Sequence, residues 1–241
     1  MKQPTTIFNY LSFVLKGSIA NLSLSSTFLF SIILIFLTNL LSKALLNFTL
    51  DATGDAFLIQ LKAPPTTAYV IVAVTIMPFY EEVMFRLFLH PKSTKIVIST
   101  SLILGLFISY VLGHVYDLSP FLLVVVLPIT LSPLVALLIV TPFKKGLYPF
   151  KRVSVLSRLE YALTKDIRPV YYLSAILFSA AHIAFQTLFF TMPSPVVLVM
   201  SINYFLVGLV LGNVRISKGI IYSIIIHSFV NVIAYFNVLI R

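Results

Sequence analysis

The chain has 241 residues, of which 59% are hydrophobic, only 10% charged and none cysteine, with a formal net charge of +10. A soluble domain is about a quarter charged, so this composition excludes an ordinary soluble globular protein, and the missing cysteines exclude disulfides, thiolate catalysis and cysteine zinc sites. The positive charge does not point to nucleic acid, because the basic residues concentrate in loops between apolar blocks, as the topology bias of membrane proteins requires.

At the N-terminus a short apolar run, Ile7 to Leu15, lies between Lys2 and Lys16. It is too short to cross a hydrocarbon core of ~30 Å, and no small-residue cleavage site follows it. Residues 1–26 are therefore expected to form an interfacial amphipathic segment. Seven apolar blocks follow, over residues 27–48, 65–87, 96–112, 120–142, 170–190, 195–212 and 219–240, each long enough to be read as a membrane helix. Short alternating segments of the kind a membrane barrel uses are absent from the pattern. The expected fold is an all-α polytopic membrane bundle of about seven transmembrane helices plus an N-terminal interfacial helix. Residues 27–241 are expected to form a single transmembrane domain, with its functional core in 65–241.

Loop charge orients the bundle. The longest polar segment carries Lys144, Lys145, Lys151, Arg152, Arg158, Lys165 and Arg168, which assigns it to the cytoplasm. Alternation then puts the N-terminus inside and the C-terminus outside, in a multi-pass protein of a plasma or inner membrane. The length and basicity of the segment 143–169 also suit an anionic membrane surface or a substrate tail.

Few strongly polar residues remain inside the spans. The second holds Glu81, Glu82 and Arg86, the fifth His182, and the seventh His227 and Asn231. A charged group at mid-bilayer costs about 2.5–3.5 kcal/mol on insertion scales and usually marks function. On a helix Arg86 lies about 40° round from Glu82 but about 140° from Glu81. Glu82 and Arg86 are thus expected to pair at i,i+4, leaving Glu81 on another face to meet a neighbouring helix as a general base. His227 and Asn231, also four apart, share one face, and His182 has Phe178 beside it on its own. At a rise of ~1.5 Å per residue, His182, His227, Asn231 and Glu81 come out about 18, 12, 18 and 9 Å from the cytoplasmic side. They are expected to meet in the inner half of the bilayer.

Such a set can hold a divalent metal such as Zn2+, with Glu81, His182, His227 and Asn231 as the ligand set, or can activate water directly. Asparagine is a good hydrogen-bond donor to a developing oxyanion. No HExxH, no GxGD and no convincing Ser-Lys or Ser-His pair is present, and the natural reaction is amide hydrolysis within the membrane.

The stretch EEVMFR (Glu81 to Arg86) resembles the EExxxR motif of the CPBP family, the CAAX proteases and bacteriocin-processing enzymes also called Abi proteins. FSAAH (Phe178 to His182) looks like its FxxxH motif and HSFVN (His227 to Asn231) like its HxxxN/D motif, in the same order. The resemblance runs from Pro78 to Asn231. It implies an intramembrane endopeptidase of seven or eight helices acting on a peptide or lipidated protein at the bilayer. Glu81 would activate water with His182 as its partner, and His227 with Asn231 would bind the oxyanion or a metal. Leu87 stands where the family often has glycine. Two other functions fit the same residues: a non-catalytic membrane immunity or scaffold protein, and an ion-coupled transporter using the buried carboxylates.

Overall fold

The computed structural model describes residues 11–12, 14–16, 23–51, 71–89, 93–116, 126–144, 160–161, 164–189 and 194–239. Most of the basic segment 143–169 lies outside them. All regular structure among the described residues is helical. The helices are α1 Leu24–Asp51, α2 Met77–Arg86, α3 Ser93–Tyr116, α4 Leu127–Lys144, α5 Arg168–Phe189, α6 Ser194–Lys218 and α7 Ile220–Leu239. A π-helical turn, Val72–Ile76, leads into α2, and a 3-10 turn, Leu87–Leu89, follows it. Among the described residues three helical stretches, Leu24–Leu45, Lys95–Leu112 and Ser194–Lys218, are long and apolar enough to cross a membrane, and Leu127–Ala136 and Ile220–Ile233 are shorter apolar stretches. The chain is a helical membrane protein.

Local chemistry sets the ends. The Ser23 side chain accepts the Ser26 N–H at 3.2 Å, and the Ser23 carbonyl accepts the Thr27 N–H. This cap starts α1 before the first strongly apolar residues. Asp166 sits just before α5 and accepts the Arg168 backbone N–H at 3.0 Å and its guanidinium at 2.9 Å. Those hydrogen bonds hold the Asp166 carboxyl below its ordinary range. Its contribution is therefore present above the ordinary aspartate range and fades as the pH falls through the lowered value. Pro169 follows in the first turn, where its missing N–H costs nothing. Between α6 and α7 a single residue, Gly219, takes φ +98°. Its N–H donates to the Arg215 carbonyl, so the left-handed residue closes one helix and the next begins at once.

The described residues form two compact units, residues 1–82 with 171–241 and residues 83–170. In the first, α6 packs on both α1 and α7, and α7 also meets α1 and the π turn. α5 and α6 approach closely at Gly208, where an added Cβ would lie 3.0 Å from Ala175 Cα. Small residues at helix crossings are how membrane helices gain van der Waals contact when lipid is as apolar as the side chains. Asn203 Nδ2 donates to Asn39 Oδ1 at 2.9 Å, linking α6 to α1. Such bonds average about 0.6 kcal/mol in membranes, so packing rather than this link decides the pairing. The expected interfacial segment is anchored here too. Val14 is buried. The Tyr171 hydroxyl stands 2.7 Å from the Val14 and Leu209 carbonyl oxygens, and the Tyr172 hydroxyl donates to the Leu15 carbonyl.

In the second unit α3 packs along α4 and against the 3-10 turn. Met84, Phe85, Leu89, Ile96, Leu102 and Leu106 are buried there, as is Arg86. Ser99 donates to the Met84 carbonyl, and Gly105 gives α3 its close approach to Pro128. The hydroxyls of Ser101, Ser109 and Ser201 turn back to carbonyls four residues earlier. They satisfy themselves within their own helices and supply no nucleophile.

Candidate active site

Proline has no N–H and its ring crowds the carbonyl one turn back. Pro78 therefore sits where the helix widens, immediately after the π turn Val72–Ile76. Such turns inside α-helices recur at functional sites. Glu81 and Glu82 follow within one turn. They diverge as adjacent residues on a helix must, and their burial separates their roles.

The Glu82 side chain is 0% exposed. Its Oε1 lies 3.0 Å from His227 Nδ1, and its Oε2 lies 2.5 Å from Ser223 Oγ. Ser223 Oγ is also 3.0 Å from the Leu211 carbonyl oxygen. The Arg215 guanidinium, on the last turn of α6, is within electrostatic reach of Glu82. A buried carboxylate needs such partners, because without them desolvation would outweigh any local gain.

The Glu81 side chain keeps 12% of its exposure and His182 22%, while His227 keeps only 5%. Glu81 Oε2 is 3.6 Å from His182 Nε2 and 3.5 Å from His227 Nε2. The far nitrogens of both rings explain why these two face it. His182 Nδ1 is 2.9 Å from the Phe178 carbonyl oxygen, an acceptor only, so Nδ1 carries the hydrogen. His227 Nδ1 gives its hydrogen to Glu82 in the same way. A neutral ring with its hydrogen on Nδ1 presents a lone pair at Nε2. Two lone pairs and a carboxylate oxygen thus converge on one place, and separations of 3.5–3.6 Å are those across which a bridging water belongs. The carboxylate behind His227 is the arrangement that elsewhere fixes the tautomer and orientation of a working imidazole.

Aromatic rings hold the histidines. His182 lies between Phe178 and Tyr204, with ring centroids 4.3 and 4.4 Å away. Phe178 also meets the His227 ring edge-on at 5.8 Å. Gly208 sets the place of Phe178, since a Cβ there would fall 3.3 Å from its Cδ1. Gly208→Ala is accordingly expected to cost about 1–3 kcal/mol of stability and to lower catalytic rate by shifting the ring that both histidines touch. Thermal unfolding and turnover measured on the same preparation check it. An unchanged rate would mean that Phe178 does not position the histidines.

Of the residues singled out from the sequence, Glu81, Glu82, His182 and His227 are brought together, all in the first unit. Asn231 lies one turn along α7 from His227, and its Nδ2 donates to the Ala73 carbonyl at 2.9 Å. Arg86 is fully buried in the second unit. Among the described residues no group of three or more His, Cys, Asp and Glu is arranged to hold a metal ion. Two contributors went unnoticed in the sequence. Ser223 had a signal, since residues 223, 227 and 231 share one helical face at i,i+4 spacing. Arg215 had none, because it reads as an ordinary basic loop residue.

Residues 149–233 match the model of a family described as type II CAAX prenyl endopeptidase Rce1-like. This is the family that the three motifs resemble, and the match takes in His182, His227 and Asn231. Glu81 to Arg86 precede the matched stretch. Comparison with curated proteins and with solved structures gives no match. The matched stretch, about a third of the chain, is thus similar to that of an endopeptidase family.

Proposed function

Taking the chain as a helical membrane protein with an Rce1-like endopeptidase stretch, we propose that it is an intramembrane endopeptidase. It cuts a peptide bond of a membrane-associated protein or peptide with water activated by Glu81. The observation that carries this reading is the convergence of His182 Nε2 and His227 Nε2 on Glu81 Oε2 at 3.6 and 3.5 Å, with the sealed Glu82 behind His227.

In the reaction a water oxygen attacks the substrate carbonyl carbon while Glu81 accepts its proton, the role of a general base. His182 Nε2 accepts the second hydrogen and so orients the water lone pair toward the carbon. The tetrahedral intermediate collapses, the C–N bond breaks, and the proton held by Glu81 passes to the leaving nitrogen. The products are a carboxylic acid and an amine. Held by Glu82 at Nδ1, a His227 that has taken a proton from solvent at Nε2 before the attack donates it as a hydrogen bond to the oxyanion and keeps it through collapse, so the proton count of the step is unchanged.

The family description supports a substrate with a prenylated cysteine near its C-terminus, which would reach the site from lipid. The test uses the purified protein in liposomes with two matched peptides, one farnesylated and one not, and mass spectrometry to locate the cut. Cleavage confined to the farnesylated peptide is the expected result. Folded protein that cuts neither peptide would count for the non-catalytic immunity or scaffold function. Metal analysis of the same preparation decides the role of Zn2+: near-stoichiometric metal, lost from both His182→Ala and His227→Ala, would transfer water activation to the ion.

A further inference from the structure

Pro78 has a consequence beyond widening its helix. In the π turn the Met77 N–H donates to the Val72 carbonyl, the i→i+5 register. The next carbonyl in that register belongs to Ala73, and its donor would be the nitrogen of Pro78, which carries no hydrogen. Ala73 is buried, and a buried carbonyl left without a donor is costly. The donor comes from another helix, since Asn231 Nδ2 lies 2.9 Å from Ala73 O.

Asn231 is the last of three residues, one per turn on the same face of α7, that reach the glutamate-bearing helix. Ser223 and His227 both bond Glu82, and Asn231 bonds the π turn. His227 is thus held from the turn before and the turn after.

We propose that Asn231 is a positioning residue. It supplies the hydrogen that Pro78 withholds from Ala73, and through that bond it sets the spacing of His227 and Glu81. The kinetic part of this inference rests on the peptidase reading of the site, whereas the stability part does not.

A double-mutant cycle tests it, with Asn231→Ala, Pro78→Ala and the pair, each measured for unfolding midpoint, kcat and KM. Asn231→Ala alone should lower the midpoint by several degrees. It should also lower kcat by about 10–100-fold, the scale of a misplaced catalytic group, with KM little changed. Pro78→Ala restores an N–H at position 78 and gives Ala73 a donor within its own helix. On that background Asn231→Ala should cost less than half as much in midpoint and in the logarithm of kcat. Equal losses on both backgrounds would overturn the proposal and place the Asn231 amide on the reacting atoms. So would an Asn231→Ala protein that loses kcat at an unchanged midpoint. Should Pro78→Ala not be recovered folded, Asn231→Leu decides. It is close in size and has no hydrogen to give in any protonation state, so midpoint and kcat should both fall, and a wild-type midpoint would overturn the inference. The midpoint needs no substrate, so it reads this proposal even if no peptide is cut.

Discussion

Glu81→Gln is expected to reduce peptide cleavage by about 10²- to 10⁴-fold, the usual contribution of a positioned general base, while the protein folds as before. The side chain keeps its size and its hydrogen-bonding capacity, and it is not sealed in the interior. What it loses is the ability to take a proton from water between His182 and His227. Cleavage by Glu81→Gln and wild type in liposomes, with the unfolding midpoint as control, checks this. Activity within tenfold of wild type at an unchanged midpoint would remove Glu81 from the role of base.

Glu82→Ala is expected to act first on stability. Its carboxylate is fully buried and meets His227 Nδ1, Ser223 Oγ and the field of Arg215. Truncation strips two buried donors of their acceptor and Arg215 of a nearby countercharge, and breaking a buried charged pair costs about 3–5 kcal/mol. That is a large part of the 5–15 kcal/mol that holds a typical domain together. Glu82→Gln separates the two roles. The amide keeps the volume and one acceptor oxygen but no longer guarantees an acceptor opposite His227 Nδ1, so the imidazole can rotate or change tautomer. Stability should fall less than with alanine, while kcat drops by about 10–100-fold, as for other residues that orient a working histidine. Ser223→Ala should show the same pattern more weakly, with Ser223→Thr close to wild type. Unfolding midpoints and turnover for the four variants test the argument. A Glu82→Ala protein as stable as wild type would mean that this carboxylate is not the anchor of α7.

These expectations rest on groups whose legibility in the sequence differed. Apolar run length located the helices, because an apolar run unbroken for twenty residues leaves the backbone no alternative but to satisfy its own hydrogen bonds. The helix ends differ where short-range chemistry intervenes. Ser23 caps α1, which starts at Leu24, three residues before the expected start. At the other extreme, α6 runs to Lys218 rather than stopping at Gly212. The sequence Gly212, Asn213, Arg215 reads as the end of a span, yet Val207 to Arg215 are all buried. Tertiary packing overrides the local preference there, because Glu82 gives Arg215 a reason to stay inside.

The sequence by itself determined that this is a helical membrane protein. It also picked out Glu81, Glu82, His182 and His227, because a polar side chain in an apolar span stands out against the cost of placing it there. Helical periodicity separated the two glutamates and favoured Arg86 as a partner for Glu82. It could not supply Ser223 and His227, which meet the oxygens of Glu82 from α7, a helix more than 140 residues away in the chain. Only the tertiary structure decided which ring nitrogen faces Glu81, since that depends on a carbonyl of Phe178 in one case and a carboxylate in the other. It also sent Asn231 to the backbone of the π turn. A one-dimensional pattern records which groups are costly to bury; which partner repays that cost depends on contacts between distant turns, and those exist only once the helices have packed.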